Sequence, residues 1–264
     1  MKQLRIKLFF NLYYFGLWVL YFIICKAWFL IYYISQTKQL GFDTISQIII
    51  QGLKLDISMA AYICILPFLL VAGSVAIPIS INNKIIKGYN YLISLFTNFL
   101  MLFDLALYKH WGTRIDTTPF IYLDTPKEMF ASVGTGLLVL AILLWVITSL
   151  IYIYIFKKVM NKWLKQFKNG HPAHAAVFIM AAGLLIIAMR GGFQASPINQ
   201  SSVYFSKSMF ANHAAINYAW NFMHALKKND YYGNNPFNKL GTNRANQIVN
   251  DANAPLQINS TQKS

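Results

Sequence analysis

The feature that most narrows the possible folds is a series of long apolar blocks. Leu8 to Ile34 runs for 27 residues, Ile57 to Ile79 for 23, Ile85 to Leu107 for 23 and Gly136 to Phe156 for 21. At ~1.5 Å of rise per residue, each is long enough as a helix to cross a hydrocarbon layer ~30 Å thick. A fifth block, Ala175 to Met189, has 15 residues. It reaches spanning length only if extended through Ala173 and Phe193, with Arg190 turned toward headgroups. Charged residues make up only 12% of the chain, about half the share of a soluble domain. Lipid is the solvent that suits such a chain.

The net charge of +15 would suit nucleic acid or an anionic surface. Its placement favours the surface, because Lys157, Lys158, Lys162, Lys165 and Lys168 directly follow an apolar block. No nucleic-acid partner is expected. Cys25 and Cys64 lie inside apolar blocks, so neither a disulfide framework nor a metal-ligand spacing is present. The first block is too long for a signal-peptide core and lacks a small-residue cleavage site, so it should remain in the mature protein.

Basic residues near block ends set the orientation. With the N-terminus in the cytoplasm, the inner segments hold Lys2, Arg5, Lys7, Lys84, Lys87 and the five lysines above, ten basic residues with no acid. The outer loops hold Lys38, Lys54, Lys109, Arg114 and Lys127, with Asp43, Asp56, Asp104, Asp116, Asp124 and Glu128 there or at flanking span ends. The expected fold is therefore an all-α membrane protein, a five-helix transmembrane bundle with spans near 8–34, 57–79, 85–107, 136–156 and 173–193. Five crossings leave everything beyond Arg190 outside. There, residues 195–228 keep bulky apolar side chains and read as a helix lying against the membrane domain 1–194. Residues 229–264, rich in Asn and Gln, read as a polar linker.

Two outer loops carry further information. In residues 36–55, Phe42, Ile45, Ile48, Ile49 and Leu53 follow a helical period. Either an interfacial amphipathic helix or one packed over the bundle mouth accounts for them. In residues 104–134, Thr125, Pro126 and Glu128 form a capping-box start for a short helix. Before it, Asp104, Lys109, Arg114 and Asp116 alternate with Tyr108, Trp111 and Tyr122, as either an aromatic belt or a polar platform for a headgroup or partner domain. An unpaired carboxylate at the depth of Asp104 is costly, so it should pair with Arg190, directly or through Arg114. Lys26, roughly 9 Å beyond the middle of its span, is expected to snorkel toward the outer headgroups.

Nothing in the chain is equipped for hydrolysis or group transfer by itself. His171 and His174 stand beside Pro172 without a carboxylate nearby, and Gly134-Thr135-Gly136 and Gly191-Gly192 complete no phosphate loop. No Ser/His/Asp arrangement is recognisable, and the inner loops hold no acid. A transporter would be expected to show repeats and midplane polar residues. Here Pro67 and Asn98 interrupt two spans, but five spans offer no obvious repeat.

The segment DLALYKHWGTRID at Asp104 to Asp116, RGG at Arg190 to Gly192 and NHAAINYAWN at Asn212 to Asn221 together resemble a known family. They are similar to the membrane-embedded N-terminal region of lipoteichoic-acid-synthase-like phosphoglycerol transferases, members of the sulfatase and alkaline-phosphatase superfamily. The resemblance covers essentially the whole chain and rests on short patterns plus architecture. It implies a bacterial cytoplasmic membrane, and a following extracytoplasmic domain with a threonine nucleophile and a divalent metal, typically manganese. This sequence departs from the pattern by stopping in the linker. No catalytic, cofactor-binding or metal-binding residue is therefore carried over. The implied role is membrane anchoring and docking, with the bilayer, anionic phospholipid headgroups and the catalytic domain as partners. The candidate headgroup or docking residues are Asp104, Tyr108, Arg114, Asp116, Arg190, Asn217 and Trp220. The alternatives are a stand-alone membrane scaffold subunit and a small transporter.

Overall fold

The computed structural model describes residues 1–117, 119, 135–232, 241 and 243–251, and the described residues form helices without strands. In chain order these are α1 (Lys2–Tyr32), α2 (Ile34–Thr37), α3 (Phe42–Gly73), α4 (Ile79–Trp111), α5 (Thr135–Leu164), α6 (His174–Arg190), a 3-10 turn (Gln200–Val203), α7 (Met209–Ala215) and α8 (Tyr218–Tyr232). Residues 243–251 are also helical. Among the described residues, four helices are long and apolar enough to cross a membrane: Lys2–Tyr32, Phe42–Gly73, Ile79–Trp111 and Val139–Leu164. The fifth apolar block gives a helix of 17 residues, His174–Arg190. The capping box at Thr125 lies outside the described residues.

The helix ends follow local chemistry. After Tyr33 the chain turns, and the Thr37 hydroxyl serves the carbonyls of Leu30 and Tyr33 at 2.8 and 3.0 Å. Helix α4 stops at Gly112, whose φ of 66° lets its N–H return to the Tyr108 carbonyl. Helix α6 stops at Gly191, φ 83°, where a Cβ would lie 2.7 Å from that of Ile198.

Residues 42–55 do not form a separate interfacial helix. They are the first half of α3, whose 32 residues extend ~48 Å at ~1.5 Å per residue. Its positions Ile48, Gly52 and Leu55 are buried, which is why the helical period appeared in a loop too polar to be counted as a span. Pro67 sits inside the same helix without ending it, as membrane helices tolerate when neighbours supply contacts.

The chain divides into two units, residues 1–223 and 224–264. Within the first, α3 packs against α6 and α1, and α4 packs against α5. Helices α1 and α4 run parallel at a constant register: Tyr14 donates to Asn90 Oδ1 and Tyr21 to Thr97 Oγ1, both 3.1 Å and both 76 residues apart. An aromatic core of Trp18, Tyr21 and Phe22 is completed by Tyr152 and Phe156 of α5. One end of these helices carries Lys26, Asp56 and Asp104. The other is rich in lysine. In the second unit, the described residues of 243–251 are exposed.

Candidate functional site

Two buried ion pairs stand at the acid-bearing end, and one short segment joins them. Lys26 of α1 meets Asp56 of α3 at 2.7 Å, and Arg114, just past α4, meets Asp104 of α4 at 2.9 Å. All four are at most 4% exposed. Burying charge is tolerated only where each ion finds a counter-ion and its remaining hydrogen-bonding positions are filled. Here each ion has its counter-ion, and every carboxylate oxygen is engaged. Asp56 Oδ1 accepts from Asn217 Nδ2 at 2.9 Å. Asp104 Oδ1 accepts from Arg114 Nε at 3.2 Å and from the Ile115 N–H at 2.8 Å. Arg114 also donates through Nη1 to the His213 carbonyl at 3.2 Å and lies 4.2 Å from the centre of the Phe29 ring.

The joining segment is residues 204–222, which follow the last apolar helix yet return into the helices. Every residue from 211 to 222 is buried. The expected single helix lying on the membrane domain is instead two helices, α7 and α8, broken at Ile216–Asn217. Asn217 explains the break. Its Oδ1 caps α8 by accepting from the Trp220 N–H at 2.9 Å, which leaves its Nδ2 for Asp56. Around it, Trp220 Nε1 donates to Ser58 Oγ at 3.2 Å, and Ser58 donates to the Met189 carbonyl at 2.7 Å. The Tyr218 hydroxyl lies 3.1 Å from that of Tyr21, and Asn221 Nδ2 donates to the Ile115 carbonyl at 2.8 Å.

Gly52 makes the close fit possible. A Cβ there would lie 2.0 Å from Lys26 Nζ and 2.6 Å from the Ala215 carbonyl oxygen, closer than any side chain permits. His213 lies on the other side of the segment, its Nδ1 3.2 Å from the Tyr108 hydroxyl. Burial, and then the neighbouring Arg114 charge, hold His213 below the ordinary histidine range, so its ring is neutral near pH 7.

The candidate residues divide accordingly. Asp104, Tyr108 and Arg114 come together around His213, and Asn217 and Trp220 come together around Asp56 and Ser58. Asp116 is half-buried just after the Arg114 pair. Arg190 is exposed and donates to the carbonyls of Gln194 and Ala195. The partner of Asp104 is therefore Arg114 alone of the two arginines considered, because the Arg190 side chain folds back over its own helix end. Lys26 does not snorkel: it is 3% exposed and turned inward to Asp56.

Comparison with protein families, characterised proteins and solved structures finds no match to this chain. The site is therefore interpreted from its own chemistry. Both carboxylates are engaged at both oxygens and closed off from water, so neither is placed to act as a general base. Among the described residues no three His, Cys, Asp or Glu side chains converge. What this arrangement does is hold the returning residues 211–222 against the helices.

Proposed function

We propose that this chain is the membrane-anchoring and docking domain of a phosphoglycerol-transferase-like cell-envelope enzyme. In this reading it makes five crossings of a bacterial cytoplasmic membrane, the N-terminus lies inside, and the acid-bearing end faces out. The observation that carries it is the returning segment 204–222, buried throughout from 211 to 222. A chain that merely left the membrane would have no reason to return and satisfy two buried ion pairs. A chain that must present a following domain at headgroup height would, because docking fixes both the depth and the direction of its exit. The ten basic and no acidic residues of the opposite end support the orientation, and the resemblance to lipoteichoic-acid-synthase-like anchors supports the enzyme class. In that class the metal, typically manganese, belongs to the catalytic domain.

Two experiments test the reading. Alkaline phosphatase fused after residue 251 should be active in bacteria and a green fluorescent protein at the same point dark, and the reverse result would refute the orientation. In proteoliposomes, a sulfatase-type phosphoglycerol transferase domain fused at the same point should transfer labelled glycerol phosphate from phosphatidylglycerol. That activity should fall when Arg114→Ala loosens the segment. Equal activity with an unrelated membrane anchor would refute the docking role.

A transport reading draws on one observation. Helix α4 buries Asn82, Asn90, Ser94, Thr97 and Asn98, an intramembrane polar stripe of the kind that lines substrate paths. Among the described residues, a pocket between Phe10, Tyr14, Leu17 and Met160 is aromatic and apolar and has no room for a water molecule. Anchoring is the better-supported reading.

A further inference from the structure

The lysine-rich end holds a buried cation of a different kind. Lys7 is 1% exposed, yet among the described residues it meets no carboxylate, whereas Lys26 and Arg114 each do. Its ammonium donates to Ser74 Oγ at 2.7 Å and lies 5.5 Å from the Phe167 ring centre. Ser74 passes its own proton to the Val71 carbonyl at 2.5 Å, so it orients Lys7 and cannot donate to anything else. An ammonium has three N–H groups, which leaves two beyond the one Ser74 accepts.

Unpartnered amides stand near the starts of α1 and α4, at the same lysine-rich end. Asn11, one turn deeper on the same side of α1, is 2% exposed, Asn82 near the start of α4 is 0% exposed, and both amide atoms of each lack a partner. Extended one heptad back, the 76-residue register of Tyr14 with Asn90 and Tyr21 with Thr97 puts Lys7 level with Asn83, which itself donates to the Leu164 carbonyl at 3.0 Å, and next to Asn82. Above the ammonium lies Gly170, half-exposed. A Cβ there would lie 3.8 Å from Lys7 Nζ and 3.4 Å from His174 Nδ1. The roof is therefore a single glycine, held in place where Gln3 bonds the Gln166 carbonyl at 3.2 Å and the Lys168 N–H at 3.0 Å. Buried polar groups in proteins are overwhelmingly partnered, and a buried charge without a counter-ion is costlier still.

We propose that Lys7, with Asn11 one turn deeper, Asn82 across on α4 and Gly170 above, forms a binding site for a phosphate group. A tetrahedral oxyanion neutralises the ammonium, has oxygens enough to accept both remaining N–H groups together with an amide N–H, and is drawn to an end that holds ten basic residues and no acid. The phosphate is that of an anionic lipid headgroup or free phosphate. The proposal does not depend on the docking role.

The test uses the full chain in neutral detergent. Thermal unfolding is followed during titration with inorganic phosphate against chloride at matched ionic strength, and separately with phosphatidylglycerol against phosphatidylcholine. Stabilisation by phosphatidylglycerol alone identifies a lipid headgroup, and stabilisation by inorganic phosphate as well identifies a site open to the free anion. In either case Lys7→Met and Gly170→Ala should each weaken apparent affinity at least about tenfold, or ~1.4 kcal/mol, while Lys168→Met, which removes the same charge from the surface, should not. Gly170→Ala meets only ordinary contacts in the unliganded protein, so it reports on the site even if Lys7→Met folds poorly. The proposal is overturned if neither ligand stabilises the chain, if Gly170→Ala binds as the native chain does, or if Lys168→Met loses as much as Lys7→Met.

Discussion

A glycine-to-alanine change inside a helix ordinarily stabilises it by ~0.5–1 kcal/mol, because alanine has less backbone freedom to lose. Gly52 in α3 should do the reverse. The added methyl would lie 2.0 Å from Lys26 Nζ, 2.8 Å from Lys26 Cε and 2.6 Å from the backbone oxygen of Ala215. If only the Ala215 carbonyl gave way, the cost would be that of overpacking, ~1–3 kcal/mol. The ammonium cannot stay where it is, however, and leaving means leaving Asp56, 2.7 Å away. Separating a buried pair costs ~3–5 kcal/mol, several times the propensity gain. We expect Gly52→Ala to lower the unfolding midpoint in detergent and to speed hydrogen exchange at residues 211–222. Gly16→Ala, at a site with nothing within 4 Å, should do neither. If the two variants unfold alike and residues 211–222 stay protected in both, the proposed lock at Gly52 is wrong.

Other expectations follow from the same network. Arg114→Ala leaves Asp104 buried without a counter-ion and should cost ~3–5 kcal/mol, measured by thermal or denaturant unfolding, whereas Arg190→Ala should change the midpoint little. Lys26→Met and Asp56→Leu should each destabilise alone but partly rescue one another when combined, a non-additivity that a double-mutant cycle detects. His213 titrates below its unfolded value, so its contribution to stability is fully present above the ordinary histidine pKa of about 6.5. That contribution is lost as pH falls from there through the folded pKa, while the ring gains a proton beside Arg114. Exchange at residues 211–222 should therefore accelerate on acidification, and His213→Asn should flatten the profile.

Four of the apolar blocks were legible from length and hydropathy because lipid imposes one pattern, a long run without charge. Their ends were less so: α3 begins at Phe42 and not at Ile57, since only one side of its first half, at Ile48, Gly52 and Leu55, is buried by protein. That Asp104 needs a cationic partner could be argued from cost alone, but the choice of Arg114 over Arg190 could not. The same cost applies to Lys26 and Asp56, two opposite charges in neighbouring apolar segments, but the long lysine side chain offers snorkelling as a second way out. Neither Gly52 nor His213 stands out in sequence. A glycine in a helix and a histidine among alanines acquire meaning only when a distant backbone carbonyl or tyrosine arrives beside them.

The tyrosine rungs between α1 and α4 limit how the protein can move. Sliding either helix by a single residue would pull both hydroxyls away from their present acceptors at once. The two helices therefore behave as one rigid strut. Any rearrangement that shifts the docked segment must come from α3 and α6 moving against that strut, so spin-label pairs across it should hold their distance while pairs reaching from it to α6 change.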